Sequence, residues 1–130
     1  MGDPETEAVL PRVQSDLVSL FKHVKNQTLD QATLEIDKRS ATTVMTVSGG
    51  YPEAYEKGKV ITGIEEIKDS LVFHAGTKLQ DGQVVTNGGR VIAITSFDGD
   101  FRAALKKSYD STKKLSFDKM YYRTDLGFDL

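Results

Sequence analysis

The chain has 130 residues, enough for one domain with its own core, and 38% apolar against 28% charged residues mark an ordinary folded protein. With 19 acidic and 17 basic side chains the formal net charge is −2, which removes the electrostatic case for nucleic acid or an anionic membrane as partner. There is no cysteine, so disulfides, thiolate zinc sites and thiol nucleophiles are excluded together. No apolar run approaches the roughly 18 residues of a membrane span. The acidic opening also lacks the apolar stretch of a signal peptide, and a cytoplasmic protein is expected.

The opening "GDPETE" reads as a helix start. Asp3 serves as N-cap, Pro4 presets the first helical φ, and Glu5 and Glu7 sit where the helix dipole favours anions. Behind them Val9, Leu10, Val13, Leu17, Leu20, Phe21 and Val24 recur at three- and four-residue steps, the stripe of an amphipathic helix. Pro11 either kinks that helix or opens a second segment. The polar "KNQTLDQ" ends it, and a boundary falls there, dividing the chain into 1–28 and 29–130.

Beyond it the period changes. Residues 32–36 form a short edge strand, and the β-branched run 41–48 is a full strand. A glycine-rich loop follows over 49–59, then one short helix over 61–70 and a buried strand, "LVFHAG", without alternation. Asp81-Gly82 signals a type I′ hairpin between two short strands. After Asn87-Gly88-Gly89, "RVIAITS" is another strand. Phe101, Leu105 and Tyr109, at steps of four, define an amphipathic helix capped at Asp98 or Asp100. The tail is irregular, with Tyr121 and Tyr122 docking on the sheet. The fold class is therefore α+β. Its first helix has a long apolar face without an evident partner, so it is expected to fold back on the β unit or pair with a second copy as a homodimer.

In order along the chain, "GDPETE", "SGGYPEAYEKG", "VFHAGT", "TNGGRV" and "YYRTDLG" resemble the phosphoribosylamine–glycine ligase family, also called glycinamide ribonucleotide synthetase. The resemblance runs from end to end, and the ordered set makes it specific where "GDPE" alone would not. It implies the family's C-terminal domain, a mostly antiparallel sheet flanked by helices, preceded by a helix left over from an ATP-grasp unit. It further implies that the chain opens inside an active-site signature. Gly2, Asp3, Pro4 and Glu5 match that signature, while its arginine and a magnesium-holding Glu-x-Asn pair would lie upstream of Met1. The family joins glycine to 5-phosphoribosylamine in de novo purine biosynthesis. ATP activates the glycine carboxylate, with Mg²⁺ or Mn²⁺ bound, and glycinamide ribonucleotide, ADP and phosphate result. The expectation for this chain is no catalytic residue, no metal ligand, no bound cofactor and no ligase activity on its own. The competing reading is a free-standing, non-catalytic interaction module that docks through its apolar N-terminal helix.

Each substrate-site candidate carries a plainer explanation beside the functional one. Asp3 and Glu5 cap a helix or border the reaction site. Ser48, Gly49, Gly50 and Tyr51 form either a strand-to-loop turn or an anion-facing nest of backbone donors. No Walker or dinucleotide glycine pattern is present. His74 is a hydrogen-bonded structural histidine or part of a cleft wall. Arg90 is a solvated strand-end charge or a bidentate phosphate ligand. The "AGT" and "NGGR" segments are expected to close the same end of the sheet. Lysines of the last helix make a solvated face.

Overall fold

The computed structural model describes Gly2 and residues 4–129. The expected Asp3 cap lies outside the described residues. In chain order the elements are α1 (Thr6–Val9), α2 (Leu17–Asn26), β1 (Ser40–Ser48), β2 (Leu71–His74), β3 (Thr77–Gln80), β4 (Gln83–Thr86), β5 (Arg90–Asp98), α3 (Phe101–Thr112) and β6 (Met120–Tyr121). Short 3-10 turns lie at Leu10–Arg12, Leu29–Gln31 and Ile64–Glu66.

The two β-branched runs become the centre of a sheet ordered β2-β5-β1-β6, every pair antiparallel. This is the α+β class expected. In β1 the side chains alternate between buried and half-buried, as period-two geometry demands. One face carries Thr42, Val44 and Thr46 toward the core, where Val91, Ile92 and Ile94 are fully buried with Ile61, Ile67, Leu115 and Phe117 around them. β3 and β4 form a separate hairpin, with Asp81 at φ 51° and Gly82 at φ 77°, the positive pair a type I′ turn requires.

Helix α3 lies on the same face, but not through the residues its periodicity suggests. Its buried side chains are Ala104, Ser108, Ser111 and Thr112. They meet the sheet through hydroxyls: Ser108 Oγ donates to the Thr42 carbonyl at 2.9 Å and lies 2.9 Å from Thr42 Oγ1. Ser70 Oγ lies 2.7 Å from both Ser96 Oγ and Ser111 Oγ. Phe101, Leu105 and Tyr109 instead turn toward the C-terminal tail, with Tyr122 and Gly127. The expected cap is present at Asp100, whose Oδ2 accepts from the Ala103 amide at 3.0 Å.

Several expectations are corrected. Residues 61–70 are not a helix: Gly63 sits at φ 82°, where a Cβ would lie 1.9 Å from the Lys114 carbonyl oxygen. Ile61 and Ile67 enter the core and Ile64 packs against it, and only a three-residue 3-10 turn, Ile64–Glu66, forms in this stretch. β2 is an edge strand and only half-buried, because β5 covers just one of its sides. The 32–36 strand shrinks to a single bridge, Ile36 with Val13. The N-terminal helix is two helices. Pro4 forms a turn before α1, whose N-cap is Glu5. Pro11 falls in the 3-10 turn, the chain extends at Val13, and α2 starts afresh at Asp16, whose Oδ1 accepts from the Ser19 amide at 2.6 Å.

Helix α1 lies on the second face of the sheet, where Thr95 Oγ1 donates to the Glu7 carbonyl at 2.9 Å. Helix α2 does not fold back. It belongs to an arm, residues 13–36, that leaves the body and returns beside its own departure. Gln14 donates to the Glu35 carbonyl at 2.9 Å and Asp37 to the Arg12 carbonyl at 2.7 Å. The Arg12 guanidinium closes on the Asp37 carbonyl as well. His23 holds the arm's turn internally, its Nδ1 being 2.9 Å from Thr28 Oγ1.

Candidate functional site

The glycine-rich segments converge at the end of the sheet where β1 finishes and β5 begins. Ser48 donates its amide to the Gly89 carbonyl at 2.8 Å and its hydroxyl to the Gly88 carbonyl at 2.9 Å. The 75–77 segment joins through Gly76, which donates to the Arg90 carbonyl at 2.8 Å and accepts from the Asn87 amide at 2.7 Å. The glycines are used for close packing between these loops. A Cβ at Gly76 would stand 2.7 Å from Gly88 Cα, and one at Gly89 would stand 2.0 Å from Tyr51 Cδ2. The Tyr51 ring therefore lies directly on the Gly89 backbone and meets Tyr55 edge to face, with centroids 6.0 Å apart. The Tyr51-Pro52 peptide is cis.

A register shift decides which candidates share a face. Thr46 pairs with Ile92, but Val47 pairs with Arg90, so Val91 is the extra residue of a bulge. The Thr46 hydroxyl spans the irregularity, donating to the Ile92 carbonyl at 2.9 Å and accepting from the Ile92 amide at 3.2 Å. Unbroken alternation would put Arg90, two residues before Ile92, on the core face, and the bulge prevents this. With it, Arg90 lies opposite Val47 on the second face. Val47 and Pro4 line one cavity of about 290 Å³, with Met45, Tyr122 and Leu126. The "GDPE" segment and Arg90 thus occupy the same face of the sheet.

His74 does not join them. It pairs with Ile92, hence faces the core side, and lines a different cavity with Ile61, Ile64 and Val84. Its Nδ1 lies 3.0 Å from Thr77 Oγ1. Gly2 and Glu5 form a small closed turn in which the Gly2 amide donates to Glu5 Oε1 at 2.7 Å and Thr6 Oγ1 donates to the Gly2 carbonyl. Its own backbone amide first, then that of Gly2, hold the Glu5 carboxyl below its usual range.

Residues outside the sequence candidates also shape this end. Lys59 bridges Glu56 at 2.7 Å and Asp118 at 3.1 Å, and Lys119 reaches Glu56 at 3.4 Å. The Lys59 hydrogen bond, then that of Lys119, lowers the Glu56 carboxyl from its ordinary value. These ion pairs tie the 49–59 loop to the segment before β6. No sequence period marks the two long-range pairs, Lys59–Asp118 and Lys119–Glu56, the latter with partners 63 residues apart. Gly76, Gly88 and Gly89 were legible as "AGT" and "NGGR", yet only their mutual contact shows what they do. Among the described residues no group of three or more His, Asp or Glu side chains is arranged to hold a metal ion. None of the helices among them is long and apolar enough to cross a membrane.

Residues 41–129 match the family described as phosphoribosylglycinamide synthetase, C domain. The chain is 43% identical over 129 residues to the phosphoribosylamine–glycine ligase of Vibrio parahaemolyticus, covering 98% of this chain and 30% of that one. It is 44% identical over 128 residues to the bifunctional purine biosynthetic protein of Schizosaccharomyces pombe, covering 97% and 16%. The fold superposes on the crystal structure of a phosphoribosylamine–glycine ligase from Thermotoga maritima with TM-score 0.75 and 33% identity, over 96% of this chain and 31% of that one. The chain thus spans less than a third of these relatives' length. The sheet with its converging glycine loops, the family match over most of the sequence and the solved relative agree: this chain belongs to the phosphoribosylglycinamide synthetase family and corresponds to its C domain.

Proposed function

We propose that this chain serves a phosphoribosylamine–glycine ligase as one wall of the cleft in which glycine and 5-phosphoribosylamine are joined. The carrying observation is the placement of Arg90 on the face that also carries Pro4 of the "GDPE" segment, brought there by the Val91 bulge. A planar guanidinium at that position suits a phosphate-bearing sugar, because its fork of donors matches phosphate oxygens. Tyr51, held flat against Gly89, adds an exposed aromatic edge at the same end of the sheet. The Gly2–Glu5 turn borders this wall, while Ser48, Gly49 and Gly50 shape it from behind. His74, on the opposite face, takes the structural role.

ATP and magnesium or manganese belong to the reaction of the intact ligase. The described residues do not fit a metal site, so no step is assigned to a metal on this chain. Residues 1–28 are read as the end of the preceding ATP-grasp unit, and 29–130 as the C domain. A cytoplasmic location goes with purine biosynthesis.

The test compares this chain alone with a fusion of it to the part of the Vibrio ligase that it does not match. With ATP, magnesium, glycine and phosphoribosylamine, the chain alone should form no ADP above background, and the fusion should turn over. Arg90→Ala in the fusion should lower kcat/KM at least about tenfold, mainly through KM for phosphoribosylamine. Turnover by the lone chain, or an unchanged Arg90→Ala fusion, would refute the proposal.

A further inference from the structure

The C-terminal tail leaves the sheet at its rim, and one hydroxyl fixes it there. β6 ends the strand order, beside β1, and the tail follows directly from it. Tyr109 Oη, on α3, donates to the Arg123 carbonyl at 3.0 Å and accepts from the Leu126 amide at 3.1 Å. Both hydrogen-bonding roles of the hydroxyl are thus taken up by the tail backbone. Between these two points the Arg123 guanidinium forks onto Asp125 at 2.9 and 3.0 Å. Two further contacts seat the tail on the helix. The Tyr109 and Tyr122 ring centroids are 6.2 Å apart, and Gly127 lies against the Phe101 ring, where a Cβ would collide. Leu126, held by the Tyr109 hydroxyl, lines the cavity of about 290 Å³ on the second face with Pro4, Met45 and Val47. A helix on one side of the sheet therefore sets a residue of the candidate site on the other.

We infer that Tyr109 is a positioning residue for the ligase reaction, its hydroxyl acting through Leu126 to set the cavity wall beside Pro4. The inference rests on the ligase reading above. Tyr109 does not itself line that cavity, so its influence passes through the tail. Loss of the hydroxyl keeps the ring but strips a donor from the Arg123 carbonyl and an acceptor from the Leu126 amide at once. The tail is then free to swing from β6, and the cavity loses the fixed apolar boundary that Leu126 gives it. A looser wall orients a bound sugar phosphate less well. Tyr109 contacts no reacting atom, so the loss falls on KM more than on kcat.

Two measurements on Tyr109→Phe test it. In the chain alone, hydrogen exchange of the Leu126 amide should quicken at least about fivefold, because its acceptor is gone. In the fusion with the unmatched part of the Vibrio ligase, KM for phosphoribosylamine should rise at least about fivefold, with kcat held within about twofold. Leu126→Ala should raise KM to a similar extent. The double variant should be no worse than the more affected single one, as holds when one residue acts through the other. A role for Tyr109 in stability alone would move the urea midpoint and leave KM in place. Unchanged exchange at Leu126 overturns the inference. So does an active fusion whose KM does not move, or one in which the two substitutions multiply. Should the Tyr109→Phe fusion fail to fold, Leu126→Ala decides: a raised KM supports the inference and an unmoved one overturns it. Turnover separates the two ideas. An active fusion with an unmoved KM sinks the positioning role alone, whereas an unsubstituted fusion without turnover sinks the ligase reading and the inference with it.

Discussion

The arm and the sheet are two answers to the same sequence pattern. Both carry apolar residues at regular spacing, and both hold a helix started by an aspartate cap. In the sheet unit, Val44, Val91, Ile92 and Ile94 are wholly buried and α3 is fastened by its hydroxyls. In the arm no helical residue is buried, and the base is closed by a few backbone bonds around Arg12 and Asp37. Amphipathic spacing therefore states which face of a helix is to be covered, and says nothing of whether its own chain covers it. The sheet should unfold as one cooperative unit, with the arm opening at far lower cost.

The sharpest way to break this contrast is to cut side chains at matched depth in the pattern. Ile94→Ala should cost about 2–5 kcal/mol in urea unfolding, since it opens a cavity in the core. Phe21→Ala in the arm should stay within about 0.5 kcal/mol in the isolated chain. A large effect at Phe21 would mean that the arm is part of the cooperative unit. Next in size is Gly89→Ala, whose added methyl collides with the Tyr51 ring and should cost about 1–3 kcal/mol by the same measurement. The two caps make a smaller, paired test. Asp100→Ala should lose about 1 kcal/mol of global stability. Asp16→Ala should reduce the helical circular dichroism of the arm and leave the global midpoint in place.

The smallest effect is acid loosening at the arm's base. The Asp37 carboxyl is lowered from an ordinary 3.8 to about 2, first by the Arg39 side-chain hydrogen bond and then by the Arg39 backbone amide, with the charges of Arg39 and Arg12 adding. A carboxyl lowered in the folded state stabilises fully above its unfolded value and loses that contribution as pH falls from near 4 through about 2. Amide exchange of Gln14 should therefore quicken across that window, and Asp37→Asn should remove the pH dependence. An Asp37 carbon shift that titrates near 4 would overturn this assignment.

Much of the sheet was legible because its signals are local. The β-branched runs of β1 and β5, the Asp81-Gly82 turn and the Asp100 cap each carry their instruction within a few residues. The short helix expected over 61–70 does not form, because Gly63 takes a left-handed conformation within it. In α3 the packing face is written in alanine, serine and threonine, which a search for large apolar residues passes over. The candidate site was half legible. That the glycine-rich segments meet follows from the strand order, but which face Arg90 and His74 take depends on one extra residue at Val91. Nothing in "GGRVIAI" announces a bulge.

The hydroxyl seam between α3 and the sheet has a mechanical consequence. Oily interfaces let a helix slip by a fraction of a turn with little change in energy, whereas Thr42–Ser108 and Ser96–Ser70–Ser111 have only one setting in which every oxygen finds its mate. The joint is keyed. Since α3 leads directly into Leu115, Phe117 and the short β6, which lies beside Val47 and Ser48, the key also indexes the far rim of the sheet. A helix chosen for grip, and not for grease, keeps that rim in line with the loops opposite.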